Sequence, residues 1–116
     1  MEPTIHHMNL NPEPFAMIKA GFKTIELRLW DEKRQKIQIG DTIVFQHTAT
    51  GELLSVTVLK LHRFQSFAEL YQSLDLLQCG YTLEDVKNAN PTDMNQYYPP
   101  EIQQKYGVVG IEVQII

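Results

Sequence analysis

Several things are scarce in this chain, and each shortage removes a class of protein. Its one cysteine, Cys79, has no partner for an internal disulfide, so a disulfide-held secreted scaffold is excluded. Four histidines stand without partner cysteines and make none of the usual zinc spacings, so no metal site and no cofactor are expected. No apolar run approaches the roughly 20 residues of a membrane span. Met1 to Leu10 has neither a basic n-region nor an apolar core, so the default expectation is a cytoplasmic protein with no membrane partner. Glycine and proline, six of each, are scattered, Pro99-Pro100 apart, at places that read as element boundaries, and no repeat or low-complexity tract is present. What remains is 116 residues, 43% of them apolar, which suits a single domain over residues 1–116.

Positive charge is scarce as well, but unevenly. The formal net charge is -4, which argues against holding nucleic acid mainly by bulk electrostatics. Residues 19 to 36 nevertheless carry six basic side chains against three acidic ones, while the rest of the chain carries four against eleven. A focused basic stretch on an acidic body suits a small anionic ligand or a short piece of backbone better than extended duplex contacts. The plain alternative is a solvated charged hairpin.

Period-two alternation dominates the pattern. His6 to Asn9 reads as a short first strand, and Asn11 with Pro12 opens a short helix bearing Phe15, Met17 and Ile18 and stopped by Gly21. In Thr24 to Trp30, Ile25, Leu27 and Leu29 alternate with Thr24, Glu26 and Arg28, so the apolar set points to a core and the polar set to the other face. Ile43 to Phe45 and Leu53 to Phe64 read as strands joined by a turn over His47 to Glu52. The long strand changes apolar parity near Val58 and Leu59, which predicts a bulge there. Ser66 to Glu69 forms a capping box for a helix through Leu70, Leu74 and Leu77, ending at Gly80; Thr82 and Pro99-Pro100 start further short helices. Val109, Ile111, Val113 and Ile115 make the last strand. The expected class is α+β: a small mixed or antiparallel β-barrel with flanking short helices.

The stretch with most chemistry is Gly21 to Arg28. Lys23, Glu26 and Arg28 place a cation, an anion and a cation in series on one strand. Such a row can donate to a carbonyl or phosphate oxygen and accept from a ring or exocyclic N–H. Arg28 offers a planar donor fork, whereas Lys23 is a mobile point charge. The competing structural reading is a surface ion pair worth ~0–1 kcal/mol. Arg34 is expected to clamp phosphate, Asn9 to reach a ligand at the barrel mouth, and Trp30, Tyr97, Tyr98 and Tyr106 to offer stacking faces.

Gly21, Lys23, Glu26 and Arg28 in the order Gly-x-Lys-x-x-Glu-x-Arg resemble the signature of ASCH domains. Ile39-Gly40-Asp41 and the closing Tyr106 to Ile111 extend the resemblance over nearly the whole chain, as in a small bacterial-type single-domain member. The resemblance implies a PUA-like β-barrel that binds RNA, a nucleotide or a modified nucleoside, with Lys23, Glu26, Arg28, Arg34, Asn9, Tyr98 and Tyr106 as ligand-binding residues. Some members are amidohydrolases acting on N4-acetylcytidine. They resemble this chain at Lys23 but have threonine where Glu26 stands, and a glutamate near the position of Cys79. Other members cleave RNA with a lysine and a tyrosine. The enzyme alternative, an amidohydrolase or ribonuclease, would use Lys23 and Glu26, with a glutamate-activated water and Lys23 or Arg28 stabilising the oxyanion. A third expectation is a protein-interaction module working through the acidic helical region from Ser66 onward.

Overall fold

The computed structural model describes residues 3–116. Five strands form one mixed sheet in the order β1-β3-β4-β5-β2: β1 (Ile5–Leu10), β2 (Ile25–Leu29), β3 (Thr42–His47), β4 (Leu53–Phe64) and β5 (Val108–Ile115). The first pair, β1 with β3, is parallel and the others are antiparallel. Helices α1 (Pro12–Ala20), α2 (Phe67–Ser73) and α3 (Pro100–Tyr106) and three short 3₁₀ turns complete the chain. No helix among the described residues is long and apolar enough to cross a membrane.

Although β1 and β2 are the two edges of the sheet, the Arg28 side chain on β2 donates to the Asn9 carbonyl on β1 at 2.6 Å. The sheet is therefore curled into a half-barrel whose margins meet at that contact. Its concave side holds one core cluster, built from Met8, Leu10, Ile43, Phe45, Val56 and Val58 with partners from β5 and from α1, which lays Phe15 and Ile18 onto it. A second cluster forms on the convex side, where Ile25, Leu27, Leu29 and Val108 pack against Phe67 and Leu70 of α2 and against Met94. Alternation along β5 thus feeds two cores at once, Val109, Ile111 and Val113 entering the first and Val108 the second. Gly110 makes the second contact possible: a Cβ there would lie 2.9 Å from Leu74 Cδ1 and 3.0 Å from Ile25 Cγ2.

The bulge falls where the parity of β4 changes: the pairing with β5 runs Val58↔Val113 and then Lys60↔Glu112, leaving Leu59 extra. Gly21, at φ +87°, closes α1 with its N–H bonded to Ile18 O. Three local expectations change. Asn11 occupies the N-cap position of α1 but its side chain makes no capping bond. Helix α2 stops at Ser73 rather than Gly80, because Asp75 starts a turn of its own by accepting the Leu77 N–H at 3.0 Å. A 3₁₀ turn over Pro91–Gln96 is set by an Asn90–Asp93 capping box that the sequence reading passed over.

Candidate functional site

The polar side of β2 does not face water. Glu26 and Arg28 lie opposite Ile111 and Val109, which belong to the concave core, so the two charged side chains enter the open end of the half-barrel. Glu26 is only 5% exposed and Lys23 9%. The competing reading of a surface ion pair does not hold: helix α1 and the segment after α2 cover the barrel mouth and shelter these charges. Thr24 and Ile25 both donate their N–H groups to Gln78 O, at 2.9 and 3.0 Å, which ties that segment to the start of β2. Gly80, at φ +109°, then lies against the Lys23 stem, and a Cβ there would come within 3.2 Å of Lys23 Cδ.

Three charges converge. Glu26 Oε1 is 2.7 Å from Lys23 Nζ, and Oε2 accepts from Arg28 Nε at 2.8 Å. Burial alone would raise the Glu26 carboxyl, but the charges of Lys23 and Arg28 and their hydrogen bonds hold it below its ordinary value. Burial works against the Arg28 charge too, and Glu26 overrules it, so Arg28 stays a cation. The arrangement carries one net positive charge, with donor hydrogens left on both cations.

A cleft of about 820 Å³ opens over this triad. Asn9 and the start of α1 form one side; Tyr71, Tyr81, Met94, Tyr97 and Tyr98 form the other. Tyr98 stacks one ring face on Phe67 at 6.3 Å and an interplanar angle of 16°. Burial raises its hydroxyl above the ordinary value, against the pull of Arg28. Cys79 also lines the cleft, and burial pushes its thiol up to about 12 despite nearby Lys23, so it stays protonated.

Of the residues singled out from the sequence, Asn9, Lys23, Glu26, Arg28 and Tyr98 line the cleft, with Tyr97. Arg34 and Tyr106 do not. Arg34 is held by Asp31 through Nη2 at 3.0 Å, an i,i+3 pair formed within its own turn. Tyr106 lies in a separate groove with Trp30 and Arg63, where Lys105 stands 5.1 Å from its ring and Arg63 stands 4.6 Å from Trp30. The excess of basic residues between 19 and 36 is largely spoken for, since Lys19 pairs with Glu52, Arg34 with Asp31, and Lys23 and Arg28 with Glu26. Sequence reasoning missed Tyr71, Tyr81 and Asp93. Tyr71 flanks the apolar stripe of α2 beside Leu70 and Leu74, a position that could have marked it. Among the described residues no cluster of three or more His, Cys, Asp or Glu side chains is placed to hold a metal ion.

Comparison with known proteins follows the same outline. The crystal structure of hypothetical protein PH0355 is 35% identical, covers 97% of this chain and 100% of its own, and superposes with a TM-score of 0.81. The solution NMR structure of protein PF0455 from Pyrococcus furiosus is 32% identical over 97% of this chain and 98% of its own, with a TM-score of 0.74. The crystal structure of ASCH from Zymomonas mobilis shares only 11% identity, covering 97% of this chain and 68% of its own; its TM-score of 0.68 is a likeness of fold. No curated protein sequence matches. The family model for the ASCH domain matches residues 8–116, and with that span the chain belongs to the ASCH domain family.

Proposed function

We propose that the cleft binds a nucleoside or nucleotide, free or as a modified residue exposed in a short single-stranded RNA. The observation that carries this reading is the buried carboxylate of Glu26, held ionised between Lys23 and Arg28 at the floor of a tyrosine-walled cleft. A carboxylate flanked by two cations presents acceptor and donor groups side by side, which matches the edge of a base. Tyr98, with one face against Phe67, offers the other to a planar ring. The volume lies within the range of pockets for small organic ligands, roughly 300–1,000 Å³. Because most cations of the basic segment are already paired, a compact ligand is better supported than an extended phosphate track.

Hydrolysis has weaker support. A carboxylate with lowered proton affinity is a poor general base, Thr24 does not line the cleft, and the Cys79 thiol stays protonated. Amide spectra recorded during titration with nucleosides and with a short RNA test the reading. Shifts centred on Lys23 to Arg28 and on Tyr97-Tyr98 are expected, with shallow salt dependence for nucleosides. Silence there at millimolar nucleoside, or shifts confined to α2 on adding a protein partner, would refute it.

A further inference from the structure

Three side chains in the cleft wall form a hydrogen-bonded chain whose direction is set at one end. Tyr81 Oη donates to Asp93 Oδ2 at 2.7 Å, and the Asn90 N–H donates to that same oxygen at 3.1 Å. With two donors arriving, Oδ2 acts as an acceptor. The single hydroxyl hydrogen of Tyr81 is therefore spent on Asp93, and the 2.6 Å contact between Tyr81 Oη and Tyr71 Oη must be donated by Tyr71. Tyr71 has then no hydrogen left, only a lone pair.

We infer that Tyr71 is an acceptor-only contact in the cleft, which selects, within the nucleoside class proposed above and resting on that reading, ligands that bring an N–H or O–H group to it. An ordinary tyrosine hydroxyl turns to suit either a donor or an acceptor and so discriminates little. Here the turn is blocked, since rotating the Tyr71 hydrogen toward a ligand would leave Tyr81 Oη and Tyr71 Oη facing each other at 2.6 Å with no hydrogen between them. Deprotonation offers no escape near neutral pH: burial first, and then the neighbouring Tyr71 and Asp93, raise the Tyr81 hydroxyl, and burial raises that of Tyr71. On the cleft floor Glu26 is a charged acceptor, and Lys23 and Arg28 beside it are donors. A base edge with an amino group next to a ring nitrogen or carbonyl fits this set; replacing the amino group by a carbonyl sets two acceptors against each other.

Calorimetric titration with two matched pairs, cytidine against uridine and adenosine against inosine, tests the inference. Each pair exchanges an amino group for a carbonyl and, with it, the adjacent acceptor ring nitrogen for an N–H, so the carbonyl members present the reversed edge both to Tyr71 and to the Lys23 and Arg28 donors. The wild-type protein is expected to favour the amino members by about tenfold, the discrimination of one hydrogen bond against one unmatched buried acceptor. Tyr81→Phe keeps the ring but frees the Tyr71 hydroxyl to turn, so the preference should fall to about twofold or less. Tyr71→Phe should weaken the amino members by about tenfold. Thermal melts verify that both variants fold. In the free protein, a slowly exchanging Tyr71 hydroxyl proton with cross-relaxation to the Tyr81 ring is expected as a ligand-independent sign. Equal wild-type affinity for both members of each pair, or a preference untouched by Tyr81→Phe, overturns the inference and leaves the cleft reading standing. If no nucleoside binds, the cleft reading falls and takes the inference with it.

Discussion

The two faces of β2 are hidden from water to nearly the same extent and for opposite reasons. Ile25, Leu27 and Leu29 are 2%, 8% and 6% exposed and rest on α2 and its surroundings; Glu26, on the alternate face, is 5% exposed and rests on two cations. Burying the first set releases apolar surface from water and is favourable in itself. Burying the second is costly and is tolerated only while each charge has its partner. Burial alone therefore does not distinguish an apolar packing face from a charged one: the distinguishing mark is a charge kept where water would have served it better.

Substitutions that strip one face should behave unlike those that crowd the other. The largest effect is expected from Glu26→Ala, which leaves Lys23 and Arg28 facing each other without their anion and should cost about 3–5 kcal/mol in urea unfolding. A loss below about 1 kcal/mol would mean that the triad is solvated like a surface pair. The same carboxylate shapes the acid limb of stability. Because its folded value is depressed, its contribution is complete above the ordinary value of 4.5 and is lost as pH falls from there toward the folded value. Glu26→Gln should flatten that limb, leaving the part due to Asp41, whose carboxyl is lowered against the effect of burial by His6 and by the Gln38 and Thr4 N–H groups.

On the apolar face, Gly110→Ala should cost ~1–3 kcal/mol by overpacking Leu74 and Ile25, with partial relief from Leu74→Val. On the polar face, Gly80→Ala combines a positive φ with contact on the Lys23 stem and should cost ~1–2 kcal/mol. It should also shift the amide resonances of Lys23 and Glu26, which Gly110→Ala should leave in place. The smallest effect belongs to Lys19→Ala. Its pair with Glu52 is exposed at both ends, so a change within ~0.5 kcal/mol is expected; a larger one would erase the contrast between buried and solvated pairs.

Local pattern made much of this architecture legible. Alternation in Ile25 to Leu29 and Val109 to Ile115 marks two strands, and the change of apolar parity at Val58–Leu59 marks the bulge between residues that do pair. Spacing puts Glu26 and Arg28 on one face of β2, but not Lys23, which was expected on the same strand: it precedes β2 at the opposite parity and reaches Glu26 from the turn after α1, where its N–H bonds to Met17 O. Alternation is silent, however, on what lies across from the polar face, and here the answer comes from Gln78, Gly80 and Tyr98, some fifty to seventy positions later. Arg34 and Tyr106 were expected at the site for their chemistry; Asp31 and the Trp30 groove claimed them first. The end of α2 was misread because a leucine period carries on through Leu77 while Asp75 diverts the backbone.

Leu59 has a consequence for how this strand tolerates change. It is 38% exposed and stands outside the ladder, so its side chain is of little account, but its presence shifts every later residue of β4 by one place. Delete it, and Lys60 would follow Val58 directly with the pairings to Glu112 and of Leu61 to Ile111 unchanged, so each later side chain keeps its face and what is lost is the local bend and added twist of the bulge. At this point of the chain one spare residue supplies curvature rather than pairing: any residue will serve as the spacer, and its loss would straighten the strand on which the curl of the sheet turns.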